Sequence, residues 1–418
     1  MSDSDLIVGL DVGTTKIAAC AGRISEGGLE VVAVSSAPTT GVRKGMITDI
    51  EDAVSAIGTV LEQLEHQAAA PISSVVAGTG GVEVTTLESN GVVAVARPDG
   101  EISSDDTNRV LEAARSVTLP ANREVLHVLP KFYTTDHDPR VHNPVGTSSI
   151  RLEVTTELVL ISSLALRNLE RAVAQTNLQL TDIVFSPLAT ATAVLSKKQL
   201  EIGVLLMDIG AATTDLAVFE EGQLIHAAVI PIGSQHLTND IAIGVRTTLE
   251  IAEQLKRTVG TALSNNVKAS EVVRLSEFDA EDHDTVKRRE LADIIQARLD
   301  ELYGKVNAEL RALDRDGRLP AGVVLTGNGA RLADLVDYTK AALKLPATLG
   351  RTKVELPIPS VDTEGAPDYT TSAGLLLWGL EHSPNQAVSQ PLTLPNFPTV
   401  SVGGVIDRAK DLLKQFLP

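Results

Sequence analysis

The chain has 418 residues, of which 43% are hydrophobic and 22% charged, as expected for a globular protein of several domains. Its formal net charge of −18 argues against a nucleic-acid partner, because such proteins need a basic face. The one cysteine, Cys20, cannot form an internal disulfide, which favours a reducing compartment. The first residues are acidic where a secretory signal needs Lys or Arg, and no apolar run reaches the roughly 18 residues of a membrane span. We therefore expect a cytoplasmic protein with at most peripheral membrane contact.

Strand and helix patterns alternate along most of the chain, which predicts an α/β fold. Residues 6–10 form a short apolar strand that ends in the turn 11–16, Asp-Val-Gly-Thr-Thr-Lys. Residues 48–64 have apolar side chains at helical spacing, and Thr48 with Glu51 predicts a capping box at the start of this helix. A buried strand at 73–77 then closes into the glycine-rich turn 78–81.

Residues 82–161 differ in pattern from the segments on either side. β-type segments at 91–96, 125–128, 150–154 and 157–161 surround one helix at 104–116. We therefore predict a small α+β subdomain inserted into the larger fold. It is followed by a helix at 164–178 and another apolar strand at 203–208.

Two segments almost half the chain apart share one pattern. Residues 9–15 and 206–214 both consist of a strand end, an aspartate, one apolar residue, a glycine, small residues and threonine. Turns with glycine after a strand are common in α/β proteins, so one copy alone would be weak evidence. Two copies predict a duplicated domain whose halves face a shared cleft.

Such paired turns suit a nucleoside triphosphate, because phosphates need backbone N–H groups in concave turns that glycine and small residues permit. Lys16 either reaches the phosphates or points to solvent. Magnesium prefers carboxylates, so Asp11 and Asp208 are the candidate metal-binding and catalytic residues, unless they only cap the turns. The predicted phosphate contacts are Gly13, Thr14, Thr15 and Lys16 in the first turn and Gly210, Ala211, Ala212 and Thr213 in the second.

A third turn completes the candidate site. Gly327, Asn328 and Gly329 lie between a strand at 323–325 and a helix that runs to 343, where a planar base or an α-phosphate could approach the backbone. Glu253 and Lys256 are three residues apart on one helix face, so they either hydrogen-bond a ribose or form a surface ion pair.

The C-terminal part of the chain contains helices, a linker and an amphipathic segment. Helical patterns cover 237–263, 287–313 and 368–380, and residues 382–404 form a linker rich in Pro, Ser and Asn. The final segment, 405–418, has an apolar stripe opposite a charged face that is barely cationic. Such a helix lies in the lipid headgroup layer, or packs on its own domain or a partner. The predicted membrane-contacting residues are Val405, Ile406, Leu412, Leu413, Phe416 and Leu417.

The order of these motifs resembles that of the superfamily of actin, Hsp70 and the sugar kinases. Residues 10–16, 187–191, 207–210, 325–329 and 371–374 are similar to its phosphate-1, connect-1, phosphate-2, adenosine and connect-2 motifs. Within the superfamily, the chain most resembles the FtsA family of bacterial cell-division proteins over nearly its full length. Residues 42–52, 125–130, 143–146 and 151–153 are similar to FtsA signatures.

The resemblance implies ATP and Mg²⁺ as ligands, filament formation, and tethering of the FtsZ ring to the inner face of the cell membrane at the division septum. Lipids through the tail helix and later division proteins would be further partners. It also implies subdomains 1A (1–81 and 162–200), 1C (82–161), 2A (201–236 and 319–381) and 2B (237–318), then the linker 382–404 and the membrane-targeting helix 405–418.

Two departures from the family pattern affect the expected chemistry. Ala211 and Ala212 stand where FtsA-like turns carry two glycines, but their amides remain available, so nucleotide binding should survive. Ser186 stands where hydrolytic members place Glu or Gln, and a hydroxyl is a poor general base, so we expect at most slow ATP hydrolysis. The alternatives are a PilM-type scaffold of pilus assembly and, less favoured, a small-molecule kinase of the same superfamily.

Overall fold

A computed structural model describes residues 6–25, 28–357, 368–382 and 400–401. The first part of the chain forms one sheet with an inserted subdomain. Its elements are β1 (Ile7–Val12), β2 (Lys16–Ser25), β3 (Gly28–Pro38), β4 (Val42–Arg43), β5 (Met46–Ile47), α1 (Ile50–Ala68) and β6 (Ser74–Thr79), then β7 (Val84–Ala94), α2 (Ser104–Arg115), β8 (Arg123–Thr134) and β9 (Arg151–Ser162) in the insertion, then α3 (Ser163–Gln175), β10 (Gln179–Phe185), α4 (Ser186–Val194) and α5 (Lys197–Ile202).

The second part forms another sheet with its own helices. Its elements are β11 (Val204–Ile209), β12 (Thr214–Glu220), β13 (Gln223–Ile230), α6 (Ser234–Val245), α7 (Leu249–Thr258), β14 (Val272–Arg274), β15 (Thr285–Lys287), α8 (Arg288–Ala312), β16 (Val323–Thr326), α9 (Leu335–Leu343), β17 (Ala347–Leu349), α10 (Thr370–Glu381) and β18 (Val400–Ser401). Among the described residues, no helix has the length and apolar character that a membrane crossing requires.

The two main sheets have the same topology. The first has the strand order β10-β6-β1-β2-β3 and the second β17-β16-β11-β12-β13. In each, the first three strands are parallel, and a hairpin adds the other two antiparallel. The central strands β1 and β11 are largely buried, which explains their continuous apolar runs. The predicted duplicated α/β fold is confirmed.

Two helices buried on all sides lie beside this pair of sheets. Every residue of α4 after Ser186 and every residue of α10 before Glu381 is buried. Helices that are apolar all round are expected in a protein interior. Gly374 in α10 permits their close approach, because a Cβ atom there would overlap the Ala189 carbonyl of α4. Thr190 and Thr371 join the two helices by a hydrogen bond of 3.0 Å.

The start of α1 differs from the prediction. Asp49, not Thr48, is the N-cap residue, and its carboxylate accepts the N–H of Asp52 at 3.1 Å. The Thr48 hydroxyl instead donates to the Gly41 carbonyl. The predicted capping box of Thr48 with Glu51 is therefore wrong, because the preceding turn already engages the threonine.

This correction gives a test by stability. Replacing Asp49 with alanine should lower the free energy of unfolding by about 1 kcal/mol, because one helix N–H loses its acceptor. Replacing Thr48 with alanine should cost less than about 0.5 kcal/mol. Urea unfolding of both variants measures the difference, and a larger loss for the Thr48 variant would restore the original capping box.

The insertion is more continuous than predicted. Residues 151–154 and 157–161 belong to one strand, β9, which pairs with β7 on one side and β8 on the other. Thr155 and Thr156 do not interrupt the strand, because the Thr156 hydroxyl is buried and donates to the Ser89 carbonyl at 3.0 Å. Helix α2 packs on this sheet to form a separate small core.

Two other segments also differ from their sequence patterns. The helix predicted at 237–263 is divided into α6 and α7, because Arg246 adopts a left-handed conformation and Thr248 caps a new helix. Val400–Ser401, inside the predicted linker, pair antiparallel with Val128 and His127 of β8. The membrane-targeting helix predicted at 405–418 lies outside the described residues.

Candidate functional site

A cleft of about 510 Å³ is lined by residues from both halves of the chain. Turns after β1, β11 and β16 all reach it, together with residues from α6 and α7. It contains all the residues predicted for the nucleotide site except Ala212, which is buried, and Gly329, which packs against Ile209. Those that line it are Asp11, Gly13, Thr14, Thr15, Lys16, Asp208, Gly210, Ala211, Thr213, Glu253, Lys256, Gly327 and Asn328.

The first two turns have the same hydrogen bond. The Gly13 N–H donates to the Lys16 carbonyl at 3.0 Å, and the Gly210 N–H donates to the Thr213 carbonyl at 2.9 Å. Neither glycine has a positive φ, so these turns do not use the left-handed conformation that glycine favours. Space is the constraint instead, since a Cβ atom on Gly13 would lie 2.9 Å from the Lys16 carbonyl oxygen. Ala211 also has no positive φ, so this turn accommodates it without strain.

The third turn meets the second at Asp208. Gly327 has a φ of 79°, a conformation that favours glycine, and a Cβ atom there would overlap the Asp208 carboxylate. The Asp208 carboxylate is also hydrogen-bonded to the hydroxyls of Thr190 and Thr371, from α4 and α10. Asp208 therefore lies where a turn and both buried helices meet.

Three half-buried carboxyl groups line the cleft: Asp11, Asp208 and Asp215. Burial raises the pKa of Asp11 to about 6, although Lys16 opposes this. Burial, and then the charge of Asp11, raises the pKa of Asp208 to about 7. Burial, then Asp208 and Asp11, raises the pKa of Asp215 to about 8. One Asp215 oxygen, Oδ1, has no hydrogen-bond partner among the described residues. The electrostatic repulsion among these acids favours a cation over an anion in the cleft.

Sequence reasoning missed Asp215. This residue stands directly opposite Asp208 in the antiparallel pair of β11 and β12. Because successive side chains of a strand alternate between faces, the hairpin register would have placed both carboxylates on one side. The turn between β11 and β12 has four residues, 210–213, and its length sets the register of the two strands, so the sequence did contain the signal for Asp215.

The three raised pKa values predict how stability depends on pH. A carboxyl group whose pKa is higher in the folded state binds more protons when folded, so its contribution is present at low pH and is lost as pH rises. For these groups the loss extends from about pH 4 to about pH 8. Without divalent cation or nucleotide, we expect the free energy of unfolding to fall between pH 6 and pH 8 by at least about 1 kcal/mol. Replacing Asp215 with asparagine should flatten this slope, as measured by urea unfolding at several pH values.

Asp106 supplies a matched control for the pH series. Burial favours its neutral form, but hydrogen bonds from Ser103, Ala96 and Arg109 hold the pKa of Asp106 well below its ordinary value. Its contribution to stability therefore changes only in acid. Replacing it with asparagine should lower stability and leave the slope between pH 6 and pH 8 unchanged. Equal slopes in the parent protein and the Asp215 variant would contradict the assignment.

The cleft contains two lysines among its described lining residues, and each is paired with a carboxylate. The Lys16 ammonium group donates to the backbone carbonyl of Asp368 at 3.0 Å and to its carboxylate, so it points neither freely into solvent nor freely into the cleft. The Lys256 ammonium group contacts Glu253 at 2.6 Å and the Thr238 hydroxyl at 2.8 Å. Glu253 and Lys256 thus form an ion pair and also line the cleft, so the two sequence interpretations are compatible.

The charge of the cleft limits which ligands it can bind. Among the residues that the structure describes, six carboxyl groups and two ammonium groups line it. In the described part of the chain, no three His, Cys, Asp or Glu side chains converge closely enough to hold a metal ion by themselves. Mg²⁺ commonly takes one or two carboxylates and completes its octahedron with water and phosphate oxygens. Asp11 and Asp208 can supply these carboxylates. A polyphosphate would need an accompanying cation to enter so acidic a cleft.

Comparison with known proteins gives matches along most of the chain. The family model described as "Cell division protein FtsA" matches residues 205–374, and "SHS2 domain inserted in FTSA" matches residues 81–160. A cell division protein FtsA from Pseudomonas aeruginosa is 36% identical over 90% of this chain and 89% of its own length. One from Escherichia coli K12 is 31% identical over 99% of both chains.

Solved structures show the same fold at low sequence identity. A PilM–PilN type IV pilus biogenesis complex matches with a TM-score of 0.66 and 18% identity over 90% of this chain and 98% of that chain. MreB5 of Spiroplasma citri bound to AMPPNP matches with a TM-score of 0.55 and 15% identity over 91% and 97%. The duplicated sheets and the cleft between their turns define an actin-like protein. Within that class, the family models and the relatives show that this chain belongs to the FtsA family of cell division proteins.

Proposed function

We propose that this chain binds ATP with Mg²⁺ in the cleft, polymerises on the inner face of the cytoplasmic membrane at the division septum, and tethers the FtsZ ring there. The observation that carries the nucleotide part is the pair of equivalent turns, after Asp11 and Asp208, that line one cleft. The AMPPNP in the MreB5 structure supports a nucleotide in a fold of this kind. Membership of a family of cell division proteins supports the cellular role.

The chain's own groups have distinct roles in this proposal. The N–H groups of the turns at Gly13–Lys16 and Gly210–Thr213 bind phosphate oxygens, with the threonine hydroxyls as further donors. Asp11 and Asp208 are the residues that would hold Mg²⁺, which would supply positive charge to offset that of the phosphates. The backbone at Gly327 and Asn328 approaches the base or the α-phosphate, and the pair of Glu253 and Lys256 faces the ribose.

The membrane part of the proposal rests on sequence. In it, residues 405–418 form an amphipathic helix at the end of the linker 382–404, attached to subdomains 1A, 1C, 2A and 2B with the boundaries expected above. One such helix buries only part of its apolar stripe, so it binds weakly. A filament that carries many of these helices binds firmly through avidity.

Electron microscopy of the full chain on a lipid monolayer tests the assembly. With Mg-ATP we expect filaments on the lipid. A variant with glutamate at Leu412 and Leu413 should lose membrane binding and keep nucleotide binding. A matched variant with glutamine at Lys414 and glutamate at Gln415, on the polar face, should retain most binding. Equal liposome pelleting by all three proteins would refute the role of the stripe.

Hydrolysis in this cleft should be slow. Ser186 lines the cleft at the first position of α4, where its hydroxyl cannot act as an efficient general base. We expect a single-turnover rate below about 1 s⁻¹ without partners, measured by quenched release of phosphate. Replacing Ser186 with glutamate should raise the rate at least roughly tenfold. A faster parent enzyme would show that another group, such as Asp215, already activates water.

A further inference from the structure

One carboxylate connects the two sides of the cleft. The side chain of Asp368, just before α10, accepts a hydrogen bond from Lys16 of the first turn. The other carboxylate oxygen of Asp368 lies 3.4 Å from Nη2 of Arg331. The side chain of Asn328 also hydrogen-bonds to the Asp368 carboxylate. Lys16 belongs to the first sheet, whereas Asn328 and Arg331 follow β16 of the second sheet. Asp368 is therefore a shared partner of the first and third turns.

Lys16 and Asp368 form an ion pair in which another anion can replace Asp368. Burial favours the neutral form of Asp368, but Lys16, Asn328 and Arg331 together hold its pKa below the ordinary value, so it is ionised at neutral pH. The two side chains are 24% and 29% exposed. Partly exposed ion pairs contribute little to stability, because water screens the charges. A phosphate group brings more negative charge than a carboxylate, so it can replace Asp368 as the partner of Lys16.

We propose that a bound phosphate and Asp368 compete for the ammonium group of Lys16, so that Asp368 limits nucleotide affinity and couples occupancy of the first turn to Asn328 and Arg331. This inference rests on the proposed nucleotide function. Asp368 acts through Lys16 and is a positioning residue. Nucleotide entry breaks the hydrogen bond between Lys16 and Asp368, and the Asp368 carboxylate keeps its contacts with Asn328 and Arg331.

A double-mutant cycle on the full chain tests the competition. Replacing Asp368 with asparagine keeps the shape of the side chain and removes its charge. We expect Mg-AMPPNP to bind about fivefold more tightly to this variant in titration calorimetry. The gain should disappear when Lys16 is also replaced with methionine, because the ammonium group for which phosphate and Asp368 compete is then absent.

Glu250 supplies a matched control, because it lines the cleft and has no assigned nucleotide contact. Replacing it with glutamine removes the same charge from the cleft. Any gain that arises only from a less acidic cleft should appear in this variant and persist without Lys16. Unfolding by urea without nucleotide should also show that the effects of the Asp368 and Lys16 substitutions are not additive.

The outcomes separate the two proposals. An Asp368 variant that binds Mg-AMPPNP like the parent, binds it more weakly, or keeps its gain without Lys16 would overturn the competition alone. A parent protein that takes up no Mg-nucleotide would overturn the competition together with the proposed function. The expected pattern, a gain that depends on Lys16 and differs from that of the Glu250 variant, supports both.

Discussion

Replacing Asp208 with alanine is expected to weaken Mg-nucleotide binding by roughly 10- to 100-fold, the usual cost of losing a group that orients a metal. Asp208 lies where the second and third turns meet α4 and α10, and the Thr190 and Thr371 hydroxyls fix its carboxylate. Titration calorimetry with Mg-AMPPNP measures the loss. Asparagine at the same position keeps the hydrogen-bonding shape and removes the charge, so it should bind almost as poorly.

The same substitutions should not destabilise the protein without nucleotide. Burial raises the pKa of Asp208 to about 7, which means that the folded protein disfavours its charged form. Removing the carboxyl group should leave the free energy of unfolding at pH 8 equal or higher. A variant that binds poorly because it unfolds is thus distinguishable from one that lost a ligand. Unchanged affinity in both variants would remove the basis of the proposed site.

Replacing Gly374 with alanine is expected to be the most damaging single change to stability. A Cβ atom there would overlap the Ala189 carbonyl and lie 3.1 Å from the Thr190 nitrogen, and both are backbone groups of a buried helix. Neither can move without displacing α4, so we expect a loss of about 3 kcal/mol or more. Urea or thermal unfolding measures it. Nucleotide affinity should fall as well, since Thr190 and Thr371 position Asp208 at this crossing.

Gly58 in α1 is the matched control. No described atom lies within 4 Å of a Cβ built on it, and its φ is not positive. Replacing it with alanine should therefore raise stability by about 0.5–1 kcal/mol, because alanine is the better helix former. If both glycine variants behave alike, then packing of α4 against α10 does not explain the requirement for Gly374.

Local patterns in the sequence were sufficient for the turns of the cleft. Each phosphate-type turn is a strand end, an aspartate and a glycine within a few residues, so the duplicated fold and about half of the lining residues could be predicted. The continuity of β9 was not predicted, because Thr155 and Thr156 looked like a break until their pairing with β7 and β8 was known. The start of α1 was displaced because two acceptable caps, Thr48 and Asp49, are adjacent.

Features of the cleft that depend on distant contacts could not be predicted. Lys16 and Asp368 are 352 positions apart, and nothing near either residue indicates the other. The raised pKa values required three carboxyl groups to lie together, contributed by two sheets that are far apart in the sequence. These are properties of packing, which a linear pattern does not contain.

The matching topology of the two sheets has one more consequence. A binding site made of two identical turns could hold an elongated anion equally well in either of two opposite orientations. Here the turns are equivalent in backbone but not in side chain, because Lys16 ends the first turn and Thr213 ends the second. Across each hairpin, Ala18 faces Asp11 whereas Asp215 faces Asp208. The positive charge lies on one side and the extra acid on the other, so a head-to-tail reversal of the bound molecule is no longer energetically neutral.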